Sequence, residues 1–444
     1  MANSYPQLAL VTDAIAASME NTLVAAKLMR WKPVSSSKMS PTNKFQEIER
    51  VSPRFNVRRT TGGVANITAA KQDTVFGAEI FALNETITLD FTYEDFAHIR
   101  DEDMAARDDR LRAIGQNAGE DVDADLLKTV VECGNNATYS TVGNNVDDLE
   151  ALLNGFVRMK DEGVADGAMF AVLSYQDLPV LSKYLVETTT ANVQTQESIL
   201  GTLGNSPKLK NLAGLQVLFT QQLPVITTGS AARGGTTQVD GAAQNVNYAD
   251  VCQSTTTNGQ YLTQTIDLKG AGAAATIKDG EIFTIDGVNA WDNRKGASKG
   301  RLQQFRVIGD ATADGTGLAT VRIFPAIVVA SPGSFTGTAG VNNAHATVDA
   351  APADSAAINF VGAASTDYLQ RAIIARDAIR VASAELEDLP SGENASRKMM
   401  SVPLSLRAHR YSTGDTGTTN TRFDVAYQAN VEAHGRWKSV RIWG

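Results

Sequence analysis

Residues 278–307 read KDGEIFTIDGVNAWDNRKGASKGRLQQFRV. Two strand-like runs stand in this stretch, Glu281–Ile285 and Leu302–Ile308, with turn residues at Lys278-Asp279-Gly280 and Asp286-Gly287. Working outward, Tyr261–Leu268 and Leu318–Phe324 repeat the pattern, with further breaks at Asp310 and Asp314-Gly315. The block 224–347 is rich in Thr, Gly, Ala, Gln and Asn and carries no long helical period. Short strands at regular spacing predict a small β-barrel. Its expected core is Ile282, Phe283, Ile285, Val288, Leu302, Phe305 and Val307. A strand (Leu215–Thr220) precedes the block and α/β material follows it, so it reads as an all-β module inserted into a host domain.

The host begins with a helical arm over residues 1–35. Leu8, Val11, Ile15, Met19 and Leu23 recur at three- and four-residue spacing, with Pro33 as the stop. That stripe packs either on a partner or on the chain's own body. Residues 42–72 alternate weakly through Phe45, Ile48, Val51, Phe55 and Val57, then reach Gly62-Gly63. They read as a long hairpin or protruding loop, too poor in apolar residues for a core of its own. Residues 93–133 give the strongest local signal. Phe96, Met104, Leu111, Ile114, Ala118, Val122, Leu126, Val130 and Cys133 keep a helical period, and Gly134 ends it. One helix of that length would span roughly 60 Å. Beyond it, Val146–Lys160 reads as an amphipathic helix, Ala168–Ser174 as a buried strand and Asp177–Val186 as a short helix. After the insertion, Leu369–Ala375 reads as a short helix, and Asp377–Ser383, Pro403–Arg410, Phe423–Asn430 and Trp437–Trp443 as strands.

The 444 residues are 43% hydrophobic, which excludes a disordered tail and a disulfide-stapled miniprotein. Net charge is −9, unfavourable for wrapping naked nucleic acid over a large surface. The charge is unevenly placed. Residues 1–72 hold ten basic against four acidic residues, and residues 73–135 hold five against sixteen. A basic loop and an acidic helix either neutralise each other within one chain or act as complementary donor and acceptor surfaces for a neighbour. Arg50, Arg54, Arg58 and Arg59 on one side, and Asp101, Asp103, Asp108 and Asp109 on the other, are the inter-subunit contact candidates.

Chemistry-bearing motifs are weak. Cys133 and Cys252 are far apart and give neither zinc spacing nor a disulfide framework. The sequons at Asn66, Asn84, Asn136 and Asn394 would matter only on a secreted chain, and MANSYPQLAL lacks a signal-peptide pattern. No apolar run reaches the ~18 residues of a membrane span. Gly270-Ala271-Gly272 follows a strand-like run but leads into more β sequence, so it fails as a dinucleotide fingerprint and reads as a loop. His98, His345, His409 and His434 are scattered. No Gly-X-Ser-X-Gly, Walker or HExxH pattern occurs. No enzyme, cofactor or metal is expected.

The order of parts, together with residues 278–307 and Asp377-Ala378-Ile379-Arg380-Val381, resembles the major capsid (coat) protein of tailed bacteriophages, in the short-tailed-phage subgroup that carries an insertion domain. The resemblance implies an α+β tailed-phage capsid fold. Its parts would be an N-terminal arm (1–41), an extended hairpin loop and the start of a peripheral domain (42–90), and a spine helix (91–145). An axial α/β domain (146–223), the inserted β-barrel (224–347) and a returning segment (348–444) would follow. It implies pentamers and hexamers closing into an icosahedral shell around double-stranded DNA, assembled in the bacterial cytoplasm as a procapsid on a scaffolding protein, with a portal and no membrane. The DNA would be enclosed without sequence-specific binding, and the acidic charge would let it slide. Arg54, Arg58 and Arg59 would lie on the loop that overlaps a neighbour, and the insertion would stabilise the monomer. A β-rich adhesin or tail-fibre module, and an encapsulin-like compartment, are the alternatives.

Overall fold

The computed structural model describes residues 5–35, 38–39, 44–56, 72–84, 86–92, 108–139, 149–165, 169–179, 215–253, 260–389, 392–412, 419–432 and 435–443. The chain divides into two compact units. One comprises residues 1–47, 81–130 and 376–432, and the other residues 48–80, 131–375 and 433–444.

The first unit is built on a six-stranded sheet. Its long strand, Thr419–Val431, pairs antiparallel with Ile379–Ala384, Ser405–Ser412 and Thr86–Thr92. Glu393–Lys398 extends the sheet beyond Ser405–Ser412, and Arg30–Val34 joins Ile379–Ala384 in parallel. Helix α1 (Tyr5–Thr22) lies against Glu393–Lys398 and Ser405–Ser412. Leu8, Val11, Ile15, Met19 and Leu23 are all buried, so the apolar stripe of the arm is covered by the chain's own body. The arm is shorter as a helix than its sequence suggests. It stops at Thr22, and Pro33 sits inside the strand Arg30–Val34.

Helix α2 (Asp109–Glu132) has 24 residues, roughly 36 Å of axis. Asp108 starts it: its Oδ1 accepts the N–H groups of Arg110 (2.8 Å) and Leu111 (3.3 Å). The single helix expected from residue 93 is therefore not continuous. An aspartate at 108 caps a helix that begins after it, and residues 93–107 lie outside the described residues. The end is where Gly134 places it. Gly115 and Gly119, which cost the helix intrinsic stability, let α1 approach. A Cβ on Gly115 would stand 2.5 Å from the Ile15 carbonyl oxygen, and one on Gly119 3.0 Å from that of Met19.

The second unit holds a six-stranded α/β sheet and the insertion. In the sheet, Asp367–Ala375 pairs with Ser439–Trp443, Met169–Ser174 and Val225–Thr227. Asn136–Tyr139 and Gln216–Thr220 add parallel strands at Ser439–Trp443 and Met169–Ser174. Helix α3 (Leu149–Asp161) packs on this sheet through Ala151, Leu152 and Met159. The expected helix at Leu369–Ala375 is a strand. Its run is buried on both faces, and such a run lacks the alternation that marks a strand. The expected helix at Asp177–Val186 opens as one 3-10 turn, Tyr175–Asp177, and residues 180–186 lie outside the described residues.

The insertion is a closed ring. Ile358–Phe360, Ile282–Asp292, Ala297–Val307, Ala319–Phe324, Gln264–Lys269 and Gln238–Val239 pair in that order. Backbone bonds between Val239 and Ala356 and between Ile358 and Thr237 join the last strand to the first. The strand Ile358–Phe360 lies beyond residue 347, so the ring extends further than the block of biased composition. Asp286-Gly287 is a bulge within one eleven-residue strand, Gly287 having φ +77°, and not a turn. The hairpin turn falls at Asp292–Gly296, where Asp292 Oδ1 accepts the N–H groups of Arg294 and Lys295. Gly270–Gly272 is a loop, as its context predicts, and leads into the strand Thr276–Ile277. Helix α4 (Gly337–His345) precedes the closing strand.

Candidate inter-subunit surfaces and the seams behind them

Two of the basic candidates, Arg50 and Arg54, lie on the amino-terminal side of residues 57–71, which are outside the described residues. Arg50 is exposed on the strand Phe45–Val51, with its guanidinium 5.9 Å from the Phe76 ring centroid. Arg54 is exposed and fixed through its backbone, whose N–H donates to His345 Nε2 at 3.3 Å. Arg58 and Arg59 lie outside the described residues. Around Arg50 and Arg54, three large apolar side chains remain in solvent: Ile48 (66% exposed), Phe55 (60%) and Phe76 (50%). Apolar side chains concentrated this way beside exposed cations are suited to a protein partner.

Of the acidic candidates, Asp101 and Asp103 lie outside the described residues. Asp108 is occupied in capping α2. Asp109 is exposed and within 3.8 Å of Arg112 one turn on, an ion pair of little worth in water. Among the four acidic candidates, Asp108 is thus a local structural residue that a charge map does not separate from the rest.

Of the expected barrel core, Phe283, Ile285, Val288, Phe305 and Val307 form one buried cluster with Ile266, Leu268, Val321 and Ile323. Ile282 is buried elsewhere, with Ala137, Tyr368 and Trp443 on the α/β sheet. Strand alternation explains this: 283 and 285 face inward, so 282 faces out. Leu302 is only half-buried and outside the core.

The seam that Ile282 enters joins barrel and α/β sheet within one unit. The Gln304 side chain copies a strand partner: Ala137 N–H donates to its Oε1 (2.7 Å), and its Nε2 donates to the Ala137 carbonyl (3.0 Å). At the end of α3, Asp161 and Glu162 receive Arg301 Nη2 (2.8 and 2.7 Å) and Lys299 Nζ (3.5 and 3.0 Å). These four charges form a network, which holds better than isolated surface pairs. Composition alone did not separate these contacts from ordinary strand residues.

Several barrel carboxylates titrate low. Hydrogen bonding from Lys269 Nζ (2.7 Å) and the Gly241 N–H (2.9 Å) brings Asp354 down to about 2. Lys278 and the Asp279 N–H lower Asp310, and the Leu318 and Thr316 donors lower Asp314. A carboxylate whose folded pKa is depressed stabilises the fold above its unfolded value of about 3.9, and that stabilisation is lost as pH falls through the folded value. Because these groups are solvent-exposed, the unfolding midpoint of the chain is expected to fall only modestly between pH 4 and pH 2 on their account, and Asp354→Asn to reduce that fall slightly. Thermal melts across this range check it.

Cys133 and Cys252 are buried reduced thiols, and burial pushes both up, away from reactivity. Among the described residues, no group of three or more His, Cys, Asp or Glu side chains is placed to hold a metal ion. No helix among them is long and apolar enough to cross a membrane.

The second unit thus carries a β-ring joined to an α/β sheet through Gln304, Ile282 and the Asp161/Glu162 network. The family model described as "P22 coat protein - gene protein 5" matches residues 1–434, and the chain belongs to that family. It is a major capsid protein of tailed phages, its fold is mixed α+β, and it forms the icosahedral shell of the virion. Among curated proteins, none matches. Solved structures similar to it include one from Mycobacterium phage Che8, at 9% identity and a TM-score of 0.40, covering 95% of this chain and 90% of that one. A capsid of Ralstonia phage GP4 matches at 7% identity and 0.39, covering 96% and 90%. The CUS-3 coat protein I-domain matches at 28% identity and 0.20, covering 29% of this chain and 98% of that one. The adhesin, tail-fibre and compartment readings gain no support from the family match.

Proposed function

We propose that the chain closes into pentamers and hexamers of a shell that encloses double-stranded DNA, and that it does so without catalysis. Assembly runs in the host cytoplasm through a procapsid on a scaffolding protein, with a portal at one vertex. The exposed apolar and cationic foot of the loop, Ile48, Arg50, Arg54, Phe55 and Phe76, carries the neighbour contact in this reading. These groups gain from burial only against another surface, and an acidic face on a second copy offers complementary charge. Asp109, Glu120 and Asp121 are exposed on α2 and suit that role.

Reversing Arg54, Arg58 and Arg59 to Glu is expected to abolish shell closure while leaving the monomer folded. Sedimentation separates shells from monomers, and circular dichroism reports the fold. Normal shells from the triple mutant would remove the loop from the neighbour contact.

A further inference from the structure

The two strands of chain that flank residues 57–71 are fastened to each other and to one element of the insertion. The Asn56 N–H donates to Gln72 Oε1 (2.9 Å), and Gln72 Nε2 donates back to the Asn56 carbonyl. This reciprocal pair closes the base of the segment. Asn56 Nδ2 also donates to the Gly340 carbonyl (2.8 Å), and Asn343 Nδ2 donates to Asn56 Oδ1 (3.1 Å). On the returning side, the Gly337 N–H donates to Asp73 Oδ2 (2.9 Å). Gly337, Gly340 and Asn343 all belong to α4, and so does His345, which receives the Arg54 N–H.

The helix is a firm support. Its His345 ring stacks on Tyr248, with centroids 3.7 Å apart and planes 8° apart. The Tyr248 hydroxyl meets that of Tyr261 at 3.0 Å, and both phenols are buried among apolar groups. Gly340 cannot carry a side chain, because a Cβ there would stand 2.4 Å from the Phe335 carbonyl carbon. Its carbonyl is therefore held where Asn56 meets it.

We propose that α4 of the inserted barrel is the clamp that fixes Asn56, Gln72 and Asp73, the chain on either side of residues 57–71, with Asn56 as its positioning residue. The insertion then does more than stabilise the monomer. It holds the two chain ends that flank residues 57–71 before any neighbour arrives, which lowers the ordering cost of association. The proposal rests on the reading of that loop as an inter-subunit contact.

Asn56→Ala in the full chain removes both side-chain bonds to α4 and leaves the backbone pairing with Gln72 intact. Its monomer is expected to keep the wild-type melting midpoint, whereas amide exchange at Arg54 and Gly337 rises at least tenfold. The yield of closed shells is expected to fall at least tenfold. Asn343→Ala, which spares the Asn56–Gly340 bond, should lose about threefold. In the pair Asn56→Cys/Asn343→Cys, oxidation is expected to restore shells and reduction to remove them, a reversal that a purely structural defect would not show. Wild-type shell yields from Asn56→Ala, or an oxidised cysteine pair that forms its bond but stays unassembled, would overturn the clamp. If wild-type protein forms no shells, the assembly reading fails instead, and unchanged amide exchange in Asn56→Ala would then overturn the clamp independently.

Discussion

Asp123→Ala is expected to cost the chain about 3–5 kcal/mol and to release the amino-terminal arm from α2. Asp123 is buried on α2 and receives three consecutive backbone donors where α1 ends: Val24 N–H (2.6 Å) and Ala25 N–H (2.9 Å) on Oδ2, and Ala26 N–H (3.1 Å) on Oδ1. Ala25 and Ala26 are themselves buried, so water does not replace the lost acceptor. Each buried donor left unmade costs about 1–3 kcal/mol. Burial pushes the carboxyl of Asp123 up more strongly than the three donors pull it down. A carboxyl raised in the folded state stabilises most below its unfolded pKa and loses that contribution as pH rises through the folded value. Acid therefore does not open this latch, in contrast to the barrel carboxylates. Asp123→Asn keeps one acceptor oxygen and should cost about half as much. Amide exchange at residues 24–26 together with denaturant unfolding checks both variants. Protected amides in Asp123→Ala would show that something else holds the arm.

Arg371→Met is expected to destabilise the second unit by about 3–5 kcal/mol, because it strands a buried carboxylate. Arg371 Nε donates to Asp177 Oδ2 at 2.6 Å, and both side chains are fully enclosed. Asp177 also receives the Ser174 N–H (2.9 Å), so one carboxylate ties the strand Asp367–Ala375 to the turn after Met169–Ser174. Asp177→Ala should cost a similar amount by removing the carboxylate to which the buried Arg371 Nε donates. The double variant should recover much of either loss, since removing both charges also removes their desolvation cost. A double-mutant cycle by urea unfolding measures this coupling, and additive losses would show that the pair does not act as a unit.

The parts legible in the sequence are those whose signal is local. The α1 stripe shows because one helical face is buried, and the barrel shows because turn residues punctuate alternating strands. Asp367–Ala375 escaped because a strand buried on both faces has no alternation to read. Asp286-Gly287 looked like a turn because a bulge asks for the same residues. The acidic run hid two residues with separate tasks, the cap Asp108 and the latch Asp123. A signal for the latch was present. Gly115, Gly119 and Asp123 stand four apart on one face of α2, the face that α1 approaches. Gln304 and Asn56 carried no such signal, because their partners are 167 and 284 residues away in sequence.

The central claim is that this chain closes into a shell on its own surfaces. Negative-stain electron microscopy of the purified recombinant protein, expressed with and without the neighbouring genes of its source, tests it most directly. Closed shells, or tubes and spirals of hexamer-like units, are the expected result. A uniform monomer or small oligomer under both conditions would contradict it.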